Sequence, residues 1–238
     1  MGKGAFLYRT FRWILSPLLR RLYQIQVEGL ENLPSNGPVI VVANHTSFMD
    51  SIWIPLILPR RIVYLTKAEY FDSWKTVWFF RGLGMIPVDR QAKGGGDDAL
   101  SAAHALLDAG GVLGLYPEGT RSPDGRLYRG RTGVGRLAVR SGAPVVPIGL
   151  IGSSAVMSKG ARIPKLSGEV TVKIGKPIDF SRFLGKNEND SIVRAFTDEI
   201  MFQIMTLSGQ QYVDQYAIKL PPDIAPEDYR RPSDEMLG

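Results

Sequence analysis

The chain contains no cysteine, which excludes disulfides, thiolate metal ligands and a cysteine nucleophile. Histidine is almost as scarce: only His45 and His104 are present, too few for a His-rich metal site. No acidic cluster suggests a carboxylate-bound magnesium ion, so no metal or cofactor is expected. No uncharged apolar run approaches the roughly 18 to 20 residues that a membrane span needs. Acid is missing altogether from the start of the chain, where Glu28 is the first carboxylate and Lys3, Arg9, Arg12, Arg20 and Arg21 precede it. The formal charge of +6 is therefore largely N-terminal. Arginines interrupt the apolar stretch of that segment and no small-residue cleavage site follows, so a signal peptide is not expected. Phe6 stands where N-myristoylation wants Ser or Thr after Met1-Gly2.

What is present suits one α/β domain: 238 residues, 44% apolar and 22% charged, with nothing resembling a linker and no internal repeat. The basic N-terminal segment could serve nucleic acid or an anionic membrane, and the interleaved residues decide between them. Leu7, Phe11, Ile14, Leu18 and Leu22 recur at helical spacing on one face, while Arg9, Arg12, Ser16 and Arg20 line another. That pattern belongs to a helix lying in a membrane interface, and no nucleic-acid partner is expected. Ser16-Pro17 is expected to divide it into two short helices. A basic face on an ordinary packed helix is the alternative.

The stretch Asn44-His45-Thr46-Ser47-Phe48-Met49-Asp50 holds the more informative histidine. The apolar run 38–43 before it reads as a buried strand, and Ser47 to Asp50 matches a capping box opening a helix. His45 and Asp50 are five residues apart, about 140° around a regular helix, so at least one must lie outside it. A chain reversal between strand and helix would let the acid orient the imidazole as a general base. Taken alone, the pair could equally be a turn residue and a helix cap.

Two later stretches decide the matter. Residues 82–90 read GLGMIPVDR and residues 116–122 read YPEGTRS, followed by VVPIGL at 145–150. His45 with Asp50, Arg90 after a short strand, Pro117 to Ser122, and the 145–150 strand together resemble the four ordered blocks of the 1-acyl-glycerol-3-phosphate acyltransferase family. Lys67 to Tyr70 resembles its Lys-x-Glu-Leu element, with Tyr70 in the leucine place. Tyr116 stands where Phe is usual, and Arg129 and Arg131 stand where lysine commonly precedes a glycine.

The resemblance implies acyl transfer from a thioester, either acyl-coenzyme A or an acyl carrier protein, to the hydroxyl of a lysophospholipid. A histidine's ordinary pKa near ~6.5 suits a base for that proton. His45 and Asp50 are the expected catalytic pair. Arg90 and Arg121, with Arg129 or Arg131, are expected to bind the acceptor phosphate in guanidinium fork geometry. Glu118, Gly119 and Thr120 lie in the same block, and the resemblance favours a substrate-binding role for Glu118. Two other classes stay open: a hydrolase using Ser47, though no glycine-flanked nucleophile elbow surrounds it, and a non-catalytic phospholipid-binding protein.

Along the chain, 23–27 reads as a strand and 51–59 as a core helix with a kink at Pro55, or as the wall of an acyl slot. Strands are expected at 61–66, 112–116, 145–150 and 170–174. Residues 74–80, WKTVWFF, suit either core or a surface facing lipid. Gly94 to Gly96 reads as a turn and 97–109 as a helix capped by Asp97 or Asp98, with His104 on its solvated stripe. Helices are also expected at 133–141 and 190–207. The expected organisation is a membrane-binding helical segment over 1–22, an acyltransferase domain over 23–210 and an extended tail over 211–238. The domain should be a central, mostly parallel or mixed sheet flanked by helices, held at the cytoplasmic face of a membrane as a peripheral or monotopic protein.

Overall fold

The computed structural model of the chain describes residues 3–67, 71, 77, 85–88, 95–158, 160, 161, 163–180 and 189–218. Its helices are α1 (Lys3–Leu22), α2 (Asp50–Ile57), α3 (Gly95–Asp108), α4 (Gly133–Ser141), the single turn α5 (Ser153–Val156) and α6 (Asp190–Ser208). Its strands are β1 (Ile25–Glu28), β2 (Val39–Ala43), β3 (Ile62–Lys67), β4 (Ile86–Val88), β5 (Val112–Leu115), β6 (Leu127–Tyr128), β7 (Val145–Ile151), β8 (Val170–Ile174) and β9 (Tyr212–Val213).

Val39 to Ala43 are all buried because β2 is covered on both faces, as an uninterrupted apolar run requires. Val39, Val41 and Ala43 pack on one side with Trp53, Ile54 and Ile57 of α2. Ile40 and Val42 pack on the other with Leu107 of α3, Leu137 of α4 and Ile200 and Ile204 of α6. Two layers of core thus sandwich one sheet. Each fully buried aliphatic side chain contributes about 1.5 to 3 kcal/mol.

The seven-stranded sheet runs β1-β8-β7-β2-β5-β3-β4. From β7 to β4 every neighbouring pair is parallel, and only the β7–β8 pairing is antiparallel, so the sheet is mixed, with β8 and β1 reversed at one edge. Parallel β2 and β5 therefore release their following loops side by side at one edge, the usual place for a site in an open α/β sheet. His45 is on the first loop and Glu118 to Arg121 are on the second.

Four expectations need correction. The N-terminal segment is one helix that runs through Pro17, not two. Its anchors recur at every fourth residue: Tyr8 Oη donates to the Pro55 carbonyl at 2.8 Å, Arg12 Nη1 to Pro59 at 3.0 Å and Ser16 Oγ to Leu56 at 3.3 Å. The Pro55 and Leu56 carbonyls belong to the last turn of α2, which leaves them without intrahelical partners. Pro17 and Trp13, the residue whose carbonyl loses its partner, are both exposed, so water can serve there.

Next, α3 begins at Gly95, so Gly95 and Gly96 are helical and Asp97 is not the first helical residue's cap. His104 is half-buried, with its Nε2 shielded and unpartnered, instead of standing on a solvated stripe. Finally, 211–238 is not extended tail throughout, because Tyr212-Val213 pairs in parallel with Leu127-Tyr128 in a separate two-stranded sheet. Arg90, residues 68–70, most of 74–80 and everything after Ile218 lie outside the described residues.

Candidate active site

Asn44, fully buried at the end of β2, begins the site. Its side-chain amide donates to the Leu150 carbonyl at 2.9 Å and accepts from the Leu150 N–H at 2.7 Å, extending the β2–β7 pairing by one side-chain rung. The chain leaving β2 is thereby fixed just before His45.

Asp50 then draws the loop into a tight reversal. Its Oδ2 accepts from the backbone N–H groups of Thr46 and Ser47, each at 2.8 Å, and lies 2.9 Å from His45 Nδ1. An oxygen already receiving two amide protons is an acceptor, so the proton in the histidine contact belongs to Nδ1. In the neutral ring, Nε2 is then the nitrogen that carries the lone pair. The imidazole side chain is 16% exposed and the carboxylate behind it is not exposed at all, so an incoming molecule meets the ring first.

The expected capping box is half formed: the acid reaches back to the Ser47 N–H, but Ser47 Oγ accepts from Met49 N at 3.2 Å and donates to the Met157 carbonyl at 2.7 Å. Ser47 is fully buried, and its proton is spent on that carbonyl. It is not placed as a nucleophile.

The loop after β5 grips His45 from the other side. Ser122 N–H donates to the His45 carbonyl at 2.7 Å, and the His45 N–H donates to Glu118 Oε2 at 3.0 Å. Glu118 Oε1 accepts from the Tyr128 N–H, also at 3.0 Å. Glu118 is 1% exposed, and each of its oxygens is occupied by a backbone amide. It ties the histidine loop to the residues ahead of Arg129. Burial pushes its carboxyl up to about 8, against the lowering effect of the two amide donors.

The imidazole lies flat on Tyr116, with ring centroids 3.9 Å apart and planes 11° from parallel. Tyr64 stacks next, 5.5 Å from Tyr116. The hydroxyl that distinguishes Tyr116 from the usual Phe is 3.1 Å from Ser51 Oγ. Burial, aided by the nearby Asp50 carboxylate, raises both tyrosine pKa values, so these phenols stay neutral.

Gly119 has φ +77, and a Cβ there would come within 2.9 Å of Arg131 Nε. The glycine thus supplies both a left-handed turn and the room in which Arg131 passes. Thr120 and Arg121 follow, each half-buried. Arg129 and Arg131 both approach Tyr216, at 5.6 and 5.3 Å from its ring centroid. The sequence reading missed Asn44, Tyr64 and Tyr216, and did not foresee that Glu118 holds two backbone amides. Its burial is not written in a P-E-G triplet.

The model of the Acyltransferase family matches residues 24–151, more than half of the chain. A chloroplast 1-acyl-sn-glycerol-3-phosphate acyltransferase of Arabidopsis thaliana is 37% identical over 161 residues, covering 67% of this chain and 45% of the plant protein. The chain thus spans under half the length of the curated plant relatives it matches. A 1-acyl-sn-glycerol-3-phosphate acyltransferase of Bacillus subtilis is 29% identical over 181 residues, covering 74% of this chain and 86% of the bacterial one. Among solved structures, the 1-acyl-sn-glycerophosphate acyltransferase of Thermotoga maritima superposes with a TM-score of 0.65 at 27% identity, covering 84% of this chain and 79% of that one.

Proposed function

The chain belongs to the acyltransferase family, and from that premise we propose that it transfers a fatty acyl group from a thioester to the free hydroxyl of 1-acyl-glycerol-3-phosphate, making phosphatidic acid. The observation that carries the reading is the 2.9 Å contact of His45 Nδ1 with an Asp50 oxygen that two backbone amides also hold. His45 Nε2 takes the acceptor's hydroxyl proton as that oxygen attacks the thioester carbonyl. The tetrahedral intermediate then expels the thiolate, which recovers the proton from the imidazolium and leaves as a free thiol. Asp50 holds the ring in the productive tautomer and offsets its transient charge. The donor is acyl-coenzyme A or an acyl carrier protein, and no cofactor is required.

Incubating the protein with acyl-coenzyme A and lysophosphatidic acid tests the reading directly. Stoichiometric thiol release and phosphatidic acid are expected. A protein that only binds phospholipid would release no thiol, and a hydrolase would release free fatty acid.

Arg121, with Arg90, Arg129 and Arg131, is assigned to the acceptor phosphate. If Arg121 grips it equally in ground and transition states, Arg121→Ala raises KM for lysophosphatidic acid with little change in kcat. A charge-assisted hydrogen bond contributes roughly 1.5 to 3 kcal/mol, so kcat/KM should fall about ten- to a hundredfold. The decisive comparison is with the matching monoacylglycerol, which has no phosphate to lose. An unchanged ratio between the two acceptors would remove Arg121 from the site.

The protein is assigned to the cytoplasmic face of a membrane, held by α1. None of the helices among the described residues is long and apolar enough to cross a bilayer. Yet α1 turns its polar anchors Tyr8, Arg12 and Ser16 inward and exposes Trp13 (81%), Ile14 (55%) and Leu18 (58%) beside Arg20 and Arg21. With Tyr8 and Leu19 packed inward, this exposed apolar face beside arginines fits insertion among anionic lipids. Deleting α1 would also strip the α2 carbonyls of their donors, so Trp13→Ser combined with Leu18→Ser is the cleaner test. Cosedimentation with anionic vesicles should weaken tenfold or more, since each side chain loses about 1.5 to 3 kcal/mol of burial. Undiminished binding by a folded double variant would refute the assignment.

A further inference from the structure

The chain beyond α6 folds back over two of the arginines assigned to the acceptor. Gly209 ends α6 with φ +69, and β9 then pairs with β6. The Arg129 N–H is shared between the carbonyls of Val213 at 3.1 Å and Gln215 at 3.0 Å, so the backbone of 213–215 is fastened to the residue that carries the first guanidinium. The Gln210 side-chain amide donates to the Gly125 carbonyl and closes the other end of the latch.

This latch delivers the Tyr216 ring to both cations at once. Arg129 and Arg131 have their guanidinium carbons 5.6 and 5.3 Å from the ring centroid, within the distance at which an aromatic face attracts a cation. Two like charges converging on one ring repel each other, and the ring offsets only part of that repulsion. Among the described residues the recorded counter-charge is Asp214, whose Oδ1 is 3.6 Å from Arg129 Nε and whose side chain is 75% exposed. That separation is too long for a hydrogen bond, and Arg129 Nε is buried with no hydrogen-bond partner. A shielded guanidinium N–H beside a second guanidinium calls for an anion with several oxygens. The place is next to the catalytic loop, because the Arg131 N–H donates to the Pro117 carbonyl at 2.8 Å and its side chain crosses Gly119.

We propose that Tyr216 is a positioning residue of the acceptor site: its ring holds Arg129 and Arg131 side by side as a clamp for a phosphate monoester, so that the C-terminal segment 210–216 completes a site whose other parts lie within or near residues 24–151. The identity of the ester as the acceptor's headgroup rests on the function proposed above. The existence of the clamp does not. Tyr216 is 46% exposed, so replacing it should leave the fold standing.

The test compares wild type with Tyr216→Leu, which keeps apolar bulk without a ring face, and Tyr216→Phe, which keeps the face without the hydroxyl. Inorganic phosphate is titrated while the side-chain Nε–Hε signals of Arg129 and Arg131 are followed by nitrogen-15 NMR, and KM and kcat are measured with lysophosphatidic acid. Loss of a cation–π contact should weaken phosphate binding by about three- to thirtyfold in Tyr216→Leu, with KM rising in step and kcat nearly constant. Tyr216→Phe should restore both. The proposal is overturned if phosphate leaves the two arginine signals unmoved in wild type, if Tyr216→Leu binds phosphate as wild type does, or if Tyr216→Phe is as defective as Tyr216→Leu. Were wild type to bind phosphate but transfer no acyl group, the proposed reaction would fail while the phosphate titration still judged the clamp.

Discussion

His45→Ala is expected to lower turnover by about 10² to 10⁴ while the protein stays folded. The histidine's structural ties are through its backbone, to Glu118 and Ser122, and alanine retains both. What is removed is the imidazole, with its stack on Tyr116 and its contact to Asp50. Rates of thiol release should collapse with KM for either substrate changed far less, because the missing group acts on the reacting proton and not on binding. Added imidazole should recover part of the rate by entering the space over Tyr116. A folded His45→Ala protein that turns over like wild type would sink the mechanism.

Asp50→Asn should be nearly as damaging, by a similar 10² to 10⁴, for a different reason. One carboxylate oxygen receives three N–H groups, from Thr46, Ser47 and His45. An asparagine that offers its carbonyl to those donors must turn its NH2 toward the position of Oδ1, which is buried and has no hydrogen-bond partner. Alternatively the NH2 faces the imidazole, and the ring is driven to the wrong tautomer. Neither choice leaves a charge to offset the imidazolium. Thermal unfolding should register only a modest loss, roughly 1 to 3 kcal/mol for weakened and unsatisfied bonds, so that activity falls much further than stability. An Asp50→Asn variant that loses only what its lowered stability explains would reduce Asp50 to a helix cap.

The central strand, the reversal at residues 44–50 and the pairing of His45 with Asp50 were legible because each is local: an apolar run, a capping pattern and a five-residue separation. The mixed sheet was legible only as a class, since nothing in Val170 to Ile174 announces that β8 runs antiparallel to β7. The two backbone ties of Glu118 were not legible, because they reach residues 73 and 10 positions away. Asn44 pairs with Leu150, 106 positions later, and Tyr216 meets Arg129 from the far end of the chain, distances that no motif spans. The amphipathic N-terminus was visible as a pattern, but periodicity cannot say which face turns inward. Nor could it foresee that Pro17 would be carried within a helix anchored through Tyr8, Arg12 and Ser16.

The docking of α1 on α2 also sets a distance. Helix α2 carries Asp50 in its first turn, and its last carbonyls are held by the proposed lipid-facing helix. Eight residues at 1.5 Å each make it a strut about 12 Å long that joins the α1 contact to the carboxylate that orients the base. A strut of that length suits a substrate whose tail stays among its neighbours while its headgroup rises a short way out of the leaflet. Lengthening α2 by one residue would shift Asp50 by about 1.5 Å along the helix and turn it by roughly 100° relative to the α1 contact.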